Sequence, residues 1–231
     1  MAQSQKAQGQ GAFFGRRKSK ALRSGQAHLT ETLLPRLALP EALPAALGEL
    51  FDPPCATIAL EIGFGGAEHL LSAARAAPDI GIIGCEPFVN GMAKLLSAIA
   101  RENLGNIRLW PEDAAPLLAR LPGGSLTRID LFYPDPWPKR RQRKRRFVTP
   151  ETLASIASAL QPGGLFRFAS DIDDYAGWTL KRLMEEPRLQ WLATQAADWC
   201  NPPDGWVQTR YEAKALLAGR KPTYITAQKG G

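Results

Sequence analysis

The sequence predicts an α/β fold on a mostly parallel sheet, and three observations carry that expectation. Short runs rich in β-branched and apolar residues alternate with segments whose apolar residues recur at helical spacing, the pattern of strand–helix–strand units. A glycine-rich turn, Gly63-Phe64-Gly65-Gly66, follows the first clear run. The 231 residues are 45% hydrophobic and 22% charged, which suits one globular domain with an ample core.

Residues 1–28 are polar, rich in Gly and Gln, and carry a basic cluster at Arg16, Arg17, Lys18, Lys20 and Arg23. This composition predicts a mobile basic arm ahead of a single domain over 29–231. Pro35, Pro40 and Pro44 interrupt the apolar stretch from Leu29 to Phe51, so short helices fit there. The alternation then begins. TIALEI (57–62) reads as a buried strand, and a helix follows over 67–76. DIGIIGCE (79–86) is the second strand. Phe88–Glu102 is a helix with Met92, Leu95, Leu96 and Ile99 on one face. NIRLW (106–110) is the third strand, AAPLLARL (114–121) a short helix, and LTRIDLFY (126–133) the fourth strand. The helix over 149–160 has Thr149 at its N-cap and Pro150 at its first position. LFRFAS (165–170) is the fifth strand, and 174–186 is helical. Strands at 189–197 and 223–226 around a helix near 210–218 would close the sheet.

The formal net charge is +7, and the stretch Lys139–Arg146 alone carries seven cations. The basicity is therefore a local patch, which points to a polyanion or an anionic membrane surface as partner. Cys55, Cys85 and Cys200 lie far apart without a CxxC, and His28 and His69 are the two histidines, so neither a disulfide framework nor a metal site is expected. No apolar leader and no run of about 18 apolar residues is evident, so a cytoplasmic protein with no membrane partner is expected.

In a parallel sheet, ligands bind at the carboxyl ends of the strands. A glycine-rich turn there lets a ligand approach the backbone closely. The dinucleotide fingerprint needs a small residue where Glu68 stands, and a carboxylate in the first helical turn repels a pyrophosphate. Glu61, just before the glycines, adds a second negative charge. Such a turn suits a cationic, phosphate-free nucleoside, and S-adenosylmethionine matches. Glu86, after the second strand, can accept both ribose hydroxyls, and Asp113, after the third, can accept from an adenine amino group. With Asp135 after the fourth strand, the acids at four successive strand ends form a set.

Three strings carry a resemblance: LEIGFGG (60–66), GCEPFVNGMAKLL (84–96) and DLFYPDPWPKRRQRKRRFV (130–148). FASDIDDYAGW (168–178), TRYEAKALLAGRKPTYI (209–225) and FFGRRKSKALRSGQ (13–26) extend it over roughly Phe13 to Ile225. The chain resembles the bacterial tRNA (guanine-N7-)-methyltransferases. The resemblance implies a class I methyltransferase fold, a Rossmann-like seven-stranded sheet with helices on both faces and a last antiparallel strand. It implies methylation of the variable-loop guanine of tRNA, with S-adenosylmethionine held by Glu61, Gly63, Gly65, Glu86 and Asp113. Asp135 would stand at the reaction centre, with Lys139, Asp171 and the segment Thr209, Arg210, Tyr211, Glu212 on the substrate. The chain departs from the family pattern at Gln142, where a histidine is usual, and at Ala67, in place of a third glycine.

Guanine N7 has a lone pair and no proton to lose, so its methylation needs orientation and charge stabilisation rather than a metal or a strong base. Asp135 is expected to accept hydrogen bonds from the guanine edge, with Pro134, Pro136 and Pro138 stiffening the loop. Trp137 stacks on a base or sits in the core; spacing leaves both open. Asp171 holds the guanine amino group or Lys139, or else caps the helix after it. Thr209 and Glu212 also fit a capping box. Arg140, Arg141, Arg143, Lys144, Arg145 and Arg146, with Arg16 and Arg17 of the arm, are expected on RNA phosphates. A non-catalytic RNA-binding protein on the same fold, and a methylase of DNA or protein amino groups, stand as alternatives. Monomer and homodimer are both open.

Overall fold

A computed structural model of the protein describes Gly15 and residues 17–231. Its centre is a seven-stranded sheet in the order β3-β2-β1-β4-β5-β7-β6. The chain enters through α1 (Ser24–Thr32), α2 (Leu34–Leu37) and a 3-10 turn at Leu47–Leu50. It then runs β1 (Thr57–Ile62), α3 (Glu68–Ala76), β2 (Ile80–Cys85), α4 (Val89–Glu102), β3 (Ile107–Trp110), α5 (Ala114–Leu118) and β4 (Leu126–Phe132). A basic 3-10 turn, Arg140–Arg145, precedes α6 (Pro150–Ala159), β5 (Leu160–Ser170) and α7 (Asp173–Met184). The chain ends with β6 (Leu189–Trp191), α8 (Ala197–Cys200), α9 (Arg210–Leu217) and β7 (Thr223–Lys229). The first five strands are parallel, and β7 runs antiparallel between β5 and β6. This is the sheet the sequence predicts, with its antiparallel closing strand.

The two-residue period of the strands sends apolar side chains to both faces. Ile82 packs under α3 and α4 with Leu70, Leu95 and Ile99, whereas Leu60, Ile83 and Ile129 face the opposite core with Leu117, Leu153 and Ile156. Thr149 caps α6 as expected, accepting from Thr152 N at 3.2 Å. The strand expected over 189–197 stops at Trp191. The carboxylate of Asp198 accepts the backbone N–H groups of Thr194 and Gln195 at 2.8 and 3.0 Å, which folds the chain into a turn instead.

The stretch expected as a mobile arm is, from Arg17 onward, tied to α4. Val89 N–H donates to Arg17 O, Ser19 N–H to Asn90 Oδ1, and the Asn90 amide to Lys20 O, each at 2.9 Å. The residues from Ser24 then form α1, which packs along α4. Arg16 lies outside the described residues.

Sheet register builds one buried polar row. Glu61 of β1 lies opposite Asp130 of β4, which lies opposite Arg167 of β5. Arg167 donates twice to Asp130, at 2.6 and 2.9 Å, and Arg128 donates from the same strand at 2.9 Å. His69 of α3 closes the row with Nδ1 2.7 Å from Glu61 and Nε2 3.3 Å from Arg167. Glu61, His69 and Asp130 bring metal-ligand atoms within 4.8 Å of one another, but Asp130 already accepts Arg167 and Arg128, and Glu61 is held by His69. The row reads as an ion-pair network.

Burial raises the pKa of Asp130, but the Arg167 charge and hydrogen bonds, with Arg128, outweigh it and hold the group below its ordinary value. A folded pKa below the unfolded one, about 3.9, gives stability that is present above that pH and lost as pH falls through the folded value. Asp130→Asn removes the charge opposite the half-buried Arg167 and one of its two acceptor oxygens. It is expected to cost about 3 kcal/mol at neutral pH and to flatten the acid limb of the stability–pH curve. Denaturant titrations from pH 3 to 8 check this; equal stability of the two proteins at pH 7 would refute it.

Candidate active site at the carboxyl ends of the strands

The order of the strands reverses direction between β1 and β4, so the crevice lies beyond the carboxyl ends of these two. The turn after β1 forms its floor. Gly63 and Gly65 have φ of +71° and +51°, conformations in which a side chain strains the backbone. Ala67 shares the habit with φ +62°, so the alanine in the third glycine position adopts the left-handed backbone itself, at a cost of about 1 kcal/mol. Gly91, in the first turn of α4, is a glycine for another reason. A Cβ there would stand 2.5 Å from the carbonyl oxygen of Gly65, so its absence lets α4 close against the turn.

Glu86 is the clamp. One carboxylate oxygen accepts Gly65 N–H at 2.8 Å and the other accepts Phe88 N–H at 2.9 Å. Each oxygen keeps a further lone pair, enough to accept two hydroxyls. Burial raises the Glu86 pKa, opposed by these two N–H groups. Glu61 is 5% exposed and holds His69 through a single oxygen. Asp113 caps α5, accepting Ala115 N–H at 3.1 Å, while its carbonyl accepts Trp110 Nε1 at 2.9 Å. Burial raises its pKa too, against the Ala115 and Ala114 amides and the nearby charge of Arg17. Of the expected cofactor acids, Glu86 holds the glycine turn directly, Glu61 precedes it at the end of β1 and Asp113 follows β3, while α9 packs against the turn. The Tyr211 ring would be 3.2 Å from a Cβ on Gly65, and the Arg210 guanidinium stacks on that ring at 5.1 Å.

Asp135 follows β4 on a stiff loop and reaches solvent. Partial loss of water around it raises its pKa. The loop is bent at both ends: Tyr133 has φ +50° and Trp137 φ +41°. Two such side-chain-bearing residues cost about 1–3 kcal/mol each, so the surroundings must hold them. Trp137 is neither in the core nor an open platform, because the Arg145 guanidinium lies over its ring at 4.9 Å. Asp171 accepts Arg220 Nε at 2.6 Å and does not cap α7, whose N-cap is Ile172.

The basic run divides in two. Lys139, Arg140, Arg141 and Lys144 are exposed. Arg143 pairs with Asp174 at 2.7 Å. Arg146 is 2% exposed, and this corrects its expected place on an RNA phosphate: the guanidinium is enclosed by protein. Residues three apart on a 3-10 turn share a face, and here that face turns toward α7.

The capping box expected at Thr209–Glu212 is half formed. Thr209 Oγ1 accepts Glu212 N–H at 3.2 Å, but the Glu212 carboxylate turns inward, accepting Trp206 Nε1 at 2.6 Å and the Tyr224 hydroxyl. Composition gives no warning of this, because the partners come from a separate loop and from β7. His69, Asp130, Arg167 and Trp206, which support the site, escaped sequence reasoning for the same reason. Gly91 left a trace as a glycine inside a helical pattern.

A doubly wound sheet whose strand-end acids surround a glycine turn that disfavours phosphate defines a methyltransferase of the nucleoside-cofactor class. Residues 55–224 match a family described as putative methyltransferase. Over 96% of its length the chain is 54% identical to a tRNA (guanine-N(7)-)-methyltransferase of Rhodopseudomonas palustris, covering 84% of that protein. It is 54% identical to the protein of the same name from Chelativorans sp., with 93% of this chain and 94% of that protein covered. The 16S rRNA methyltransferase KamB shares the fold, with a TM-score of 0.60 at 15% identity over 84% of this chain and 95% of that one. The chain belongs to the tRNA (guanine-N7-)-methyltransferase family.

Glu212 carries a test of how α9 is held. Glutamine offers one acceptor oxygen to two donors, so Glu212→Gln is expected to destabilise the protein by about 2 kcal/mol. Thermal unfolding, followed by tryptophan fluorescence, measures it. An unchanged melting temperature with a raised KM for tRNA would mean that the carboxylate serves the substrate instead.

Proposed function

We propose that the protein transfers a methyl group from S-adenosylmethionine to N7 of the variable-loop guanine of tRNA, position 46. What supports this is the placement of Glu61, Glu86, Asp113 and Asp135 at or just after the carboxyl ends of β1, β2, β3 and β4, ahead of the exposed cations Lys139, Arg140, Arg141 and Lys144. Acids at the strand ends suit a cationic cofactor, and the exposed cations that follow β4 suit a polyanionic substrate.

The residues present fit the cofactor. Glu86 has the spare lone pairs for a ribose diol, Asp113 stands after the next strand for an adenine amino group, and Glu61 with Gly63 and Gly65 serves the amino-acid end. S-adenosylmethionine, when bound, supplies an electrophilic methyl group on a sulfonium. The protein's own part is to bring the guanine edge to that methyl in line and to stabilise the positive charge that develops on the purine. Asp135 accepts from the guanine edge and offsets that charge. Partial loss of water around it raises its pKa, so a cation developing beside it favours the charged form. Arg210 and Tyr211 close over the glycine turn, Asp171 and Thr209 line the substrate side, and Lys139 reaches toward the RNA. The exposed cations, with Arg17 of the docked arm, grip phosphates and set the register of the RNA. A guanine within folded RNA would be splayed from its neighbours to present N7 to the methyl group. Such an enzyme works in the cytoplasm, where its tRNA is; no described helix is long and apolar enough to cross a membrane.

The test uses labelled S-adenosylmethionine and an unmodified tRNA transcript, followed by borohydride and aniline, which cleave at N7-methylguanine. A single cut in the variable loop is the expected result, and Asp135→Asn should slow turnover about a hundredfold with cofactor binding retained. Label without cleavage would move the target atom, and full turnover by Asp135→Asn would remove that residue from the reaction.

A further inference from the structure

We propose that Arg146, the last cation of the basic run, is a positioning residue for methyl transfer: its guanidinium fixes the loop that carries Asp135 and takes no part in gripping RNA. The inference rests on the reading of Asp135 as a reaction-centre residue.

Every edge of the guanidinium is taken by protein. Nε donates to the carbonyl of Pro136 at 2.9 Å, one residue after Asp135. Nη1 donates to the backbone carbonyl of Asp174 at 3.3 Å, and Nη2 pairs with its carboxylate. The faces are covered as well. The central carbon lies 4.8 Å from the Tyr175 ring and 5.2 Å from the Trp178 ring, both on α7. Those rings are themselves anchored, since Trp178 Nε1 donates to Val148 O at 2.7 Å and the Tyr175 hydroxyl meets Val148 N at 3.4 Å. Arg146 is thus a planar bolt between a rigid helix and one peptide of the Asp135 loop.

That peptide is the one that needs holding. Tyr133 and Trp137 bracket the loop in left-handed backbone, and Pro136 lies between them. Release of its carbonyl would let the segment relax and carry Asp135 away. Lysine cannot replace this arginine, because it lacks the flat fork that packs against two rings and reaches both Pro136 and Asp174. A phosphate contact, by contrast, asks mainly for positive charge, which lysine keeps.

The experiment compares wild type, Arg146→Lys, Arg140→Ala and Asp135→Asn. The readouts are the single-turnover rate at saturating tRNA and S-adenosylmethionine, and the tRNA Kd across a salt series. Arg146→Lys is expected to slow the single-turnover step about tenfold to a hundredfold while keeping tRNA affinity and its salt slope. Arg140→Ala should reduce the salt slope by about one. A wild-type rate in Arg146→Lys, or a lowered salt slope, would overturn the proposal. Full turnover in Asp135→Asn would sink the underlying reading separately, whatever Arg146→Lys does. Should Arg146→Lys fail to fold, phenylglyoxal footprinting of the wild-type protein decides. Arg146 should stay unmodified with or without tRNA, while Arg140 and Arg141 react and are protected by tRNA. Reaction of Arg146 in the free protein would overturn the assignment.

Discussion

The two hydrogen bonds that the Glu86 carboxylate accepts, from Gly65 N–H and Phe88 N–H, set the geometry on which the site depends. They join the end of β2 to the turn after β1 and to the start of α4. Once that turn is pinned, Gly91 can pack on the Gly65 carbonyl, and Tyr211 of α9 can lie across Gly65 from the other side. A buried carboxylate is costly unless its charge is met by donors. Here two backbone amides meet it, and the remaining lone pairs point the need for further donors into the crevice. The same group therefore stabilises the turn and keeps acceptor capacity for further donors.

Charge is arranged in layers around this point. Beneath the turn, Arg167 and Arg128 donate to Asp130 and His69 meets Glu61, so Glu61 is oriented before any ligand arrives. At the crevice, Glu86, Asp113 and Asp135 have raised pKa values because burial or partial loss of water disfavours their charge. A cationic ligand relieves that cost. On the rim, exposed cations lie where a polyanion would approach. Separation of acids inside from bases outside keeps the tRNA phosphates away from the cofactor acids while steering the RNA to them.

Much of this is visible in the one-dimensional sequence. Strand runs such as TIALEI and the acids that follow them are legible because burial on both faces and the strand-end rule act locally. The glycine turn is legible because only particular residues tolerate its backbone. Identical local signals hide different tertiary outcomes elsewhere. Arg140 and Arg146 belong to one run, yet one faces water and the other is buried against two rings of α7. Thr209-Arg-Tyr-Glu212 has the spacing of a capping box, but Trp206 and Tyr224 draw the glutamate inward. The arm looks disordered by composition, and Asn90, a residue on another element, is what ties Ser19 and Lys20 down. In each case the deciding partner sits on another element, outside the local pattern.

The central claim is that carboxylates at the strand ends choose a cationic nucleoside over a phosphorylated one. Titration calorimetry of the protein with S-adenosylmethionine and, separately, with ATP tests it most directly, with Glu86→Gln as the control. The account predicts saturable binding of S-adenosylmethionine, weakened at least about tenfold by Glu86→Gln, and no measurable binding of ATP. Comparable affinity for ATP, or S-adenosylmethionine binding indifferent to Glu86→Gln, would contradict it.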